Sequence, residues 1–361
     1  GSGDSYWRGV KDWVNQGKIS EERITEAAEN IISAMYQLNQ IDNFPQPNIQ
    51  KETKTDERIA LHRLTSTESQ VLLKNEDNIL PLKGYKKIAV IGADAFPRTE
   101  CQGERDMKCA RGHVPLGYGS GTTDFAYLID PLQAIKKYAE NQGITIVSSG
   151  KLTHNGKTFQ EDINGGVQAA QEADLAIVFI VADSGEEYLE LENSWGDRPD
   201  LDAWHGGNDL VDAVVKVNKN VVVVINGPGV VNVPWLDNIK AVLFSGFPGM
   251  ESGNAIADVL FGNANPCGHL PFVWGKIDDY GARITKIGGL KKEGNLDQYD
   301  YNEGLYVGQR WFNKKGTKAI FPFGWGLSYS KFSYKNLKLS MGKKGLKPLS
   351  KLLMIVILKV K

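Results

Sequence analysis

The stretch Asp300-Tyr-Asn-Glu-Gly-Leu-Tyr-Val-Gly-Gln-Arg-Trp-Phe312 sets one carboxylate, Glu303, between a polar turn and an aromatic run that reads as strand-like. Tyr299, Tyr301, Tyr306 and Trp311 flank it in sequence. Carboxylates held near apolar or aromatic walls are the usual acid/base groups of sugar chemistry, and sugar rings stack on aromatic faces. Glu303 is therefore a candidate proton donor, set against the plain alternative of a surface carboxylate, since the chain has 43 acidic residues and most such groups only solvate a surface. Glu251 in "GMESG" and Glu186 and Glu187 in "SGEEY" are the other carboxylates on loops of the right kind.

Other chemistries have weaker claims. Successive backbone N–H groups in "GYGSGTT" make an anion nest conceivable, but no G-x-x-x-x-G-K-[ST] occurs and the loop follows a cysteine pair rather than a strand. "IAVIGADAFP" begins as a dinucleotide-binding strand begins, then continues with Ala-Asp-Ala and Pro in place of further glycines. His62, His113, His154, His205 and His269 are scattered, with no H-E-x-x-H and no Cys/His pairing, so no metal site is expected. Ser245 lacks the G-x-S-x-G frame of a nucleophilic serine. No cofactor is expected.

The elements that must position Glu303 follow from pattern. A chain of 361 residues exceeds the usual single domain. Its 42 basic and 43 acidic residues nearly cancel and no basic stretch is interleaved with aromatics, which argues against nucleic acid as a partner. The run "LLMIVIL" is far shorter than the ~20 residues that span a bilayer, so no membrane partner is expected. The start, "GSGDSYWRGVKDW", has no apolar signal core and reads as internal. Cys101 and Cys109 bracket "CQGERDMKC" closely enough to staple it, which suits secretion; two free thiols in a reducing compartment is the other reading. Cys267 reads as a lone, partly buried thiol.

Residues 19–38 carry Ile24, Ala27, Ala28, Ile31, Ala34, Met35 and Leu38 on one helical stripe, with Ser20 as cap. A Pro-, Asn- and Lys-rich linker then sets a boundary near residue 50. A second helix is expected over "ERIALHRLTSTESQVLLKN", and from "KIAVIGA" onward strands and helices alternate. Unbroken runs such as "LAIVFIV" and "NVVVVIN" suit strands covered on both faces, as in a mostly parallel sheet with crossover helices. The fold class is α/β, a three-layer sandwich, in which ligands gather beyond the carboxyl ends of the strands. The loops "GADAFP", "VADSGEE", "NGPG" and "SGFPGMESG" emerge there. Three regions result: 1–50, 51–332 and 333–361.

Seven blocks in order, "HRLTSTESQVLLKNEDNILPL", "KIAVIGADA", "GYGSGTTDFAYLIDPLQAI", "NSWGDRPDLDAWHGGNDLVDAVV", "FSGFPGMESGNAIADVLFGNANPCGHLPFVWG", "YNEGLYVGQRWF" and "FPFGWGLSYSKFSY", closely resemble β-glucosidases of glycoside hydrolase family 3, the fungal type in particular. The resemblance implies a (β/α)8-like barrel, then the α/β sandwich, then often a fibronectin-type domain. It makes residues 1–50 the helical remnant of the barrel. It implies a retaining exo-β-glucosidase that releases glucose from cellobiose, cello-oligosaccharides or aryl β-glucosides without a cofactor, and a secreted protein. The family's acid/base glutamate lies in a Tyr-x-Glu-Gly segment, which "YNEG" matches at Glu303. Its substrate-contacting serine matches Ser120, and Tyr306 is expected to wall the leaving-group side. Its nucleophile, an aspartate in a Ser-Asp-Trp motif at a barrel strand end, has no match: Asp12 in "KDW" follows "SYWRGV", with no apolar strand before it. The chain is thus expected to lack the nucleophile and the barrel that is its partner, and to be inactive alone. The tail "KPLSKLLMIVILKVK" departs from the fibronectin-type course, as a truncated or frame-shifted reading would. The rival from another class is a non-catalytic carbohydrate-binding or docking module.

In oxidised, secreted material Cys101 and Cys109 are expected as a disulfide, a constraint on the unfolded chain that contributes about 2 to 3 kcal/mol in the chain-entropy account. Non-reducing peptide mapping should recover the linked pair, and two alkylatable thiols in that material would refute it.

Overall fold

The computed structural model describes residues 9–42, 53–99, 112–117, 125–154, 158–182, 200–286 and 298–333, with short pieces between and after them. The chain divides into two compact units, Gly1–Thr53 and Lys54–Lys361.

Among its described residues the first unit has the helices α1 (Val10–Asn15) and α2 (Glu21–Gln37). Ser20 caps α2 as its position predicts, its Oγ accepting the Arg23 N–H at 3.2 Å, and Glu21 and Glu22 place negative charge at the positive end of the helix. No residue of α2 is buried within the chain; Ile31, Ile32, Tyr36 and Leu38 are exposed, so the apolar stripe lies open. Asp12 sits mid-helix on α1 and is exposed.

The second unit opens with α3 (Asp56–Glu68), which is shorter than the sequence pattern suggested. Ser69 Oγ and Gln70 Nε2 both donate to the Ser66 carbonyl, at 2.9 and 3.0 Å, so side chains take over a terminal acceptor where the helix stops. The following "VLLKN" is not helix but strand β1 (Val71–Asn75), with Val71, Leu72 and Leu73 buried.

Five further strands complete the sheet: β2 (Lys87–Ile91), β3 (Thr145–Ser149), β4 (Leu175–Val181), β5 (Val221–Asn226) and β6 (Ala241–Gly246). Their order is β1-β6-β5-β4-β2-β3, and every pairing is parallel except that of β1 with β6. Four helices, α4 (Pro131–Gln142), α5 (Ile163–Gln171), α6 (Gly207–Val217) and α7 (Ser252–Leu260), follow β2, β3, β4 and β6 in the chain. The period of two along each strand sorts side chains between two cores. Val178, Ile180, Val223 and Ile225 meet Ala169 and Ala170 of α5 and Leu210, Val211 and Val214 of α6. Ile177, Phe179, Val222 and Val224 meet Leu132 and Ile135 of α4 and Ile256, Val259 and Leu260 of α7. Helices therefore cover both faces, which gives the three-layer α/β sandwich, and the apolar runs are unbroken because neither face meets water.

Local chemistry fixes the ends. Asp130 caps α4 through Gln133 N–H at 2.9 Å with Pro131 in the first turn, and Gly143 ends it at φ 67°. Arg63 of α3 forks onto both oxygens of Asp258 of α7 at 2.7 Å, and the Tyr138 hydroxyl of α4 joins the same carboxylate.

Phe179 on central strand β4 is wholly buried. Phe179→Ala should cost about 3 to 5 kcal/mol, read as a lowered urea midpoint, and an unchanged midpoint would show that the sheet core is not where the structure places it.

Candidate active site

Glu303 is delivered by a hairpin and a short helix. Strand β7 (Ala282–Lys286) pairs antiparallel with β8 (Gln298–Tyr301), Ala282 lying opposite Tyr301. The chain then turns, with Gly304 N–H on the Tyr301 carbonyl and Tyr306 N–H on that of Glu303, both at 3.1 Å. Gly308, at φ 60° and ψ −127°, a combination that side-chain-bearing residues avoid, leads into α8 (Gln309–Lys315). The aromatic run that reads as strand-like is thus broken at Gly308 and continues as helix. The helix suits its aromatics: Phe312 is wholly buried with its ring edge-on to Tyr280 at 5.3 Å, and Trp311 Nε1 donates to the Asp279 carbonyl at 3.1 Å.

The Glu303 side chain is 6% exposed. Gly281 is pressed between it and Trp311: a Cβ there would lie 2.6 Å from Glu303 Cβ and 3.0 Å from the indole. Only a residue without a side chain lets the two approach. Glu303 lines a cavity of about 810 Å³ with Pro271, Phe272, Val273, Ile277 and Phe323, and Val230, just past the carboxyl end of β5, completes one wall. Its Oε2 is buried and has no hydrogen-bond partner among the described residues. A buried carboxyl oxygen left unpaired costs free energy, so its retention calls for a reason, and a catalytic role is one such reason.

Glu251, the alternative carboxylate, is placed differently. Its Oε1 accepts the Tyr127 hydroxyl and its Oε2 the Asn254 amide, both at 2.7 Å. Burial and this hydrogen bond push the Tyr127 phenol up to about 12, so the phenol stays a donor and Glu251 serves as a tie. Tyr306 is half-exposed, with the Lys314 ammonium 3.9 Å from its ring centre, and it is not among the walls of the Glu303 cavity. Ser120, Cys101, Cys109, Glu186 and Glu187 lie outside the described residues. Cys267 is exposed rather than partly buried, its thiol 3.4 Å from the Glu68 carbonyl. Among the described residues no group of three His, Cys, Asp or Glu is placed to hold a metal, and no helix is long and apolar enough to cross a membrane.

A buried network at the strand ends went unread in the sequence. Asp94 Oδ1, beyond β2, accepts the Val114 N–H and the Asn226 amide, both at 2.9 Å, and the same amide donates to the Val114 carbonyl at 2.7 Å. His113 lies between the Asp94 carbonyl, 2.8 Å from Nδ1, and Ser252 Oγ, 2.6 Å from Nε2. Serine, histidine and aspartate stand in line, but each is at most 1% exposed and no substrate reaches them. The network moors the segment that leads toward the glycine-rich loop. The one available signal was that "GADA", "HVP" and "ING" carry polar residues at expected strand ends.

Comparison with known proteins bears on the family and the fold. Residues 70–329 match the glycosyl hydrolase family 3 C-terminal domain. Probable beta-glucosidase L of Aspergillus terreus is 37% identical over 352 residues, which cover 94% of this chain and 46% of that protein. Beta-glucosidase cel3A of Pyricularia oryzae is 34% identical over 335 residues, covering 91% and 43%. The crystal structure of the β-D-glucoside glucohydrolase from Trichoderma reesei superposes with a TM-score of 0.78 at 34% identity, over 92% of this chain and 45% of that one. Such matches make the chain part of a glycoside hydrolase. It belongs to glycosyl hydrolase family 3. It spans about half the length of the curated relatives it matches, 46% and 43% of the two named above.

One further carboxylate has a measurable consequence. Glu161, on a short strand (Phe159–Glu161), takes the Ala93 N–H on both oxygens, at 3.0 and 3.1 Å, and so holds the turn after β2. Burial lifts its pKa from an ordinary 4.5 to about 7. The folded state then binds more protons than the unfolded state between those values. The contribution is present in full below pH 4.5 and is lost as pH rises toward 7, with a slope of at most about 1.4 kcal/mol per pH unit. Glu161→Gln keeps an acceptor for Ala93 and should flatten this part of the stability–pH curve. Urea midpoints from pH 4.5 to 7 with the same slope in both proteins would rule out Glu161 as the source.

Proposed function

We propose that this chain supplies the acid/base half of the active site of a retaining exo-β-glucosidase, with Glu303 as the acid/base. The observation that carries this reading is the buried Glu303 carboxyl, with one oxygen unpaired among the described residues, on the wall of a largely apolar cavity. A carboxyl so placed has an oxygen available to the departing oxygen of a glycoside, where Glu251, with both oxygens engaged, has none.

In the first step the Glu303 proton passes to the glycosidic oxygen as the bond to the anomeric carbon breaks, while a carboxylate on the opposite face of the sugar forms a glycosyl ester. In the second, the Glu303 carboxylate takes a proton from water, whose oxygen attacks the anomeric carbon and releases the ester. Two inversions retain configuration, and the mechanism sets the two carboxyl groups about 5 to 5.5 Å apart. The nucleophile is the aspartate of the family's barrel. Asp12 does not fill that role, being exposed in mid-helix on α1 rather than at the end of a strand. Residues 1–50 are read as the end of the barrel. Glucose is released from cellobiose, cello-oligosaccharides or aryl β-glucosides with no cofactor. Ser120 contacts the substrate, Tyr306 meets the leaving group from outside the cavity that Glu303 lines, and the protein is secreted with Cys101 and Cys109 joined.

The chain alone should hydrolyse no chromogenic glucoside. In a full-length enzyme that carries this sequence, Glu303→Ala should slow cellobiose hydrolysis on the order of 10²- to 10⁴-fold. Activated aryl glucosides should suffer less in the first step, because their leaving groups need no proton. Azide, which needs no general base, should restore turnover on them and yield β-glucosyl azide. Near-normal cellobiose hydrolysis by the variant would sink the assignment.

A further inference from the structure

The second unit has another large cavity, at the opposite edge of the sheet. Asn220 and Lys240, which immediately precede β5 and β6, line it, as does Tyr85, two residues before β2. Since β2, β5 and β6 run in one direction, these are amino ends, whereas Val230 in the Glu303 cavity follows a carboxyl end. The two cavities share no lining residue. This one encloses about 920 Å³, within the ~300–1,000 Å³ usual for small-ligand sites.

Four asparagines, Asn78, Asn220, Asn263 and Asn265, and two tyrosines, Tyr85 and Tyr329, stand in a wall that is otherwise largely apolar, with lysines at three positions. Asn265 is locked: its Nδ2 donates to Ser330 Oγ at 3.2 Å, and its Oδ1 accepts the Tyr329 N–H at 2.9 Å and the Ser328 hydroxyl at 3.0 Å. Asn220 donates Nδ2 to the Asp174 carbonyl at 3.0 Å, while its Oδ1 accepts no hydrogen bond from the described residues. Lys240 pairs with Asp77, the one acidic residue of the wall. At the rim Asp77 and Asn78 both take left-handed φ, 54° and 52°, and the Asn75 amide braces that turn through the Leu80 N–H and carbonyl at 3.0 and 2.9 Å. Consecutive non-glycine residues hold such backbone only where their surroundings over-determine it, and such sites cluster around ligands.

We propose that this cavity is a second carbohydrate-binding site, remote from Glu303, for a neutral, hydroxyl-rich oligosaccharide. Sugar hydroxyls need donors and acceptors together; the Asn220 amide oxygen and the Tyr85 hydroxyl offer them, whereas the Asn265 amide and the Tyr329 hydroxyl, which donates to the Val259 carbonyl at 2.8 Å, brace the wall, and a braced wall loses little freedom on binding. The half-buried Tyr85 ring offers a face for the C–H side of a sugar. Lys83 and Lys331 also line the cavity, so an anion is the rival occupant. The choice of a glucan as probe rests on the proposed function.

The test is calorimetric titration of the full 361-residue chain with cellotetraose. Saturable binding is expected, weakened at least tenfold by Tyr85→Ala combined with Asn263→Ala, both positions lining the cavity, largely kept by Tyr85→Phe, and unchanged by Glu303→Gln. Thermal melts of each variant verify that it is folded. Because binding is read without turnover, it stands or falls apart from the catalytic role of Glu303. No saturable binding to folded chain, binding indifferent to the Tyr85 and Asn263 changes, or displacement of the glucan by inorganic phosphate would each overturn the proposal.

Discussion

A parallel sheet covered by helices on both faces leaves a polar side chain no place along its strands. In β4 and β5 the buried runs Leu175–Val181 and Val221–Asn226 contain a single polar residue, Asn226, and it is the last of its strand. Chemistry is thereby forced to the strand ends and to segments outside the sheet. Asp94, Asn226, Ser245, Glu251 and Ser252 all stand at or beyond carboxyl ends, and Glu303 comes from a hairpin and helix added after the last strand of the sheet.

That constraint sorts the buried carboxylates by role. Asp94 binds a backbone N–H and an amide, Glu161 a backbone N–H on both oxygens, and Glu251 a phenol and an amide. Each holds a loop against the sheet edge, and each is satisfied by groups of the same chain, as buried polar groups are in stable structures. Glu303 departs from that pattern. Its position is set by packing instead, through Gly281 and Trp311, so its carboxyl oxygen is placed without being consumed by a structural bond.

The sequence carries the fold well because the sheet is written in apolar runs. "LAIVFIV" and "NVVVVIN" could hardly be anything but doubly covered strands, and Gly143 and Asp130 mark helix ends by their own chemistry. Two elements were misread for one reason: apolar content alone does not separate short strand from helix. "VLLKN" becomes strand because sheet-edge pairing with β6 outweighs continuation of α3, and "QRWF" becomes helix because Gly308 breaks the extended run and Phe312 finds a buried slot. Glu303 stands out in the sequence through its aromatic neighbours and its match to a family segment, and the structure puts it on a cavity wall. The cavity walls Pro271, Phe272 and Val273, and the Asp94–His113–Ser252 network, were not legible there, since they join residues distant in sequence through a topology that no local pattern encodes.

Catalysis as proposed turns on a proton moving from Glu303 to the leaving group. A series of aryl β-glucosides graded in leaving-group acidity measures that directly, by comparing how steeply kcat/KM falls with leaving-group pKa in the full-length enzyme and in its Glu303→Gln variant. With proton donation in place the dependence is shallow; without it the bond must break to a bare phenolate, so the variant should show a markedly steeper slope. Parallel lines for the two enzymes would contradict the assignment of Glu303 as the acid.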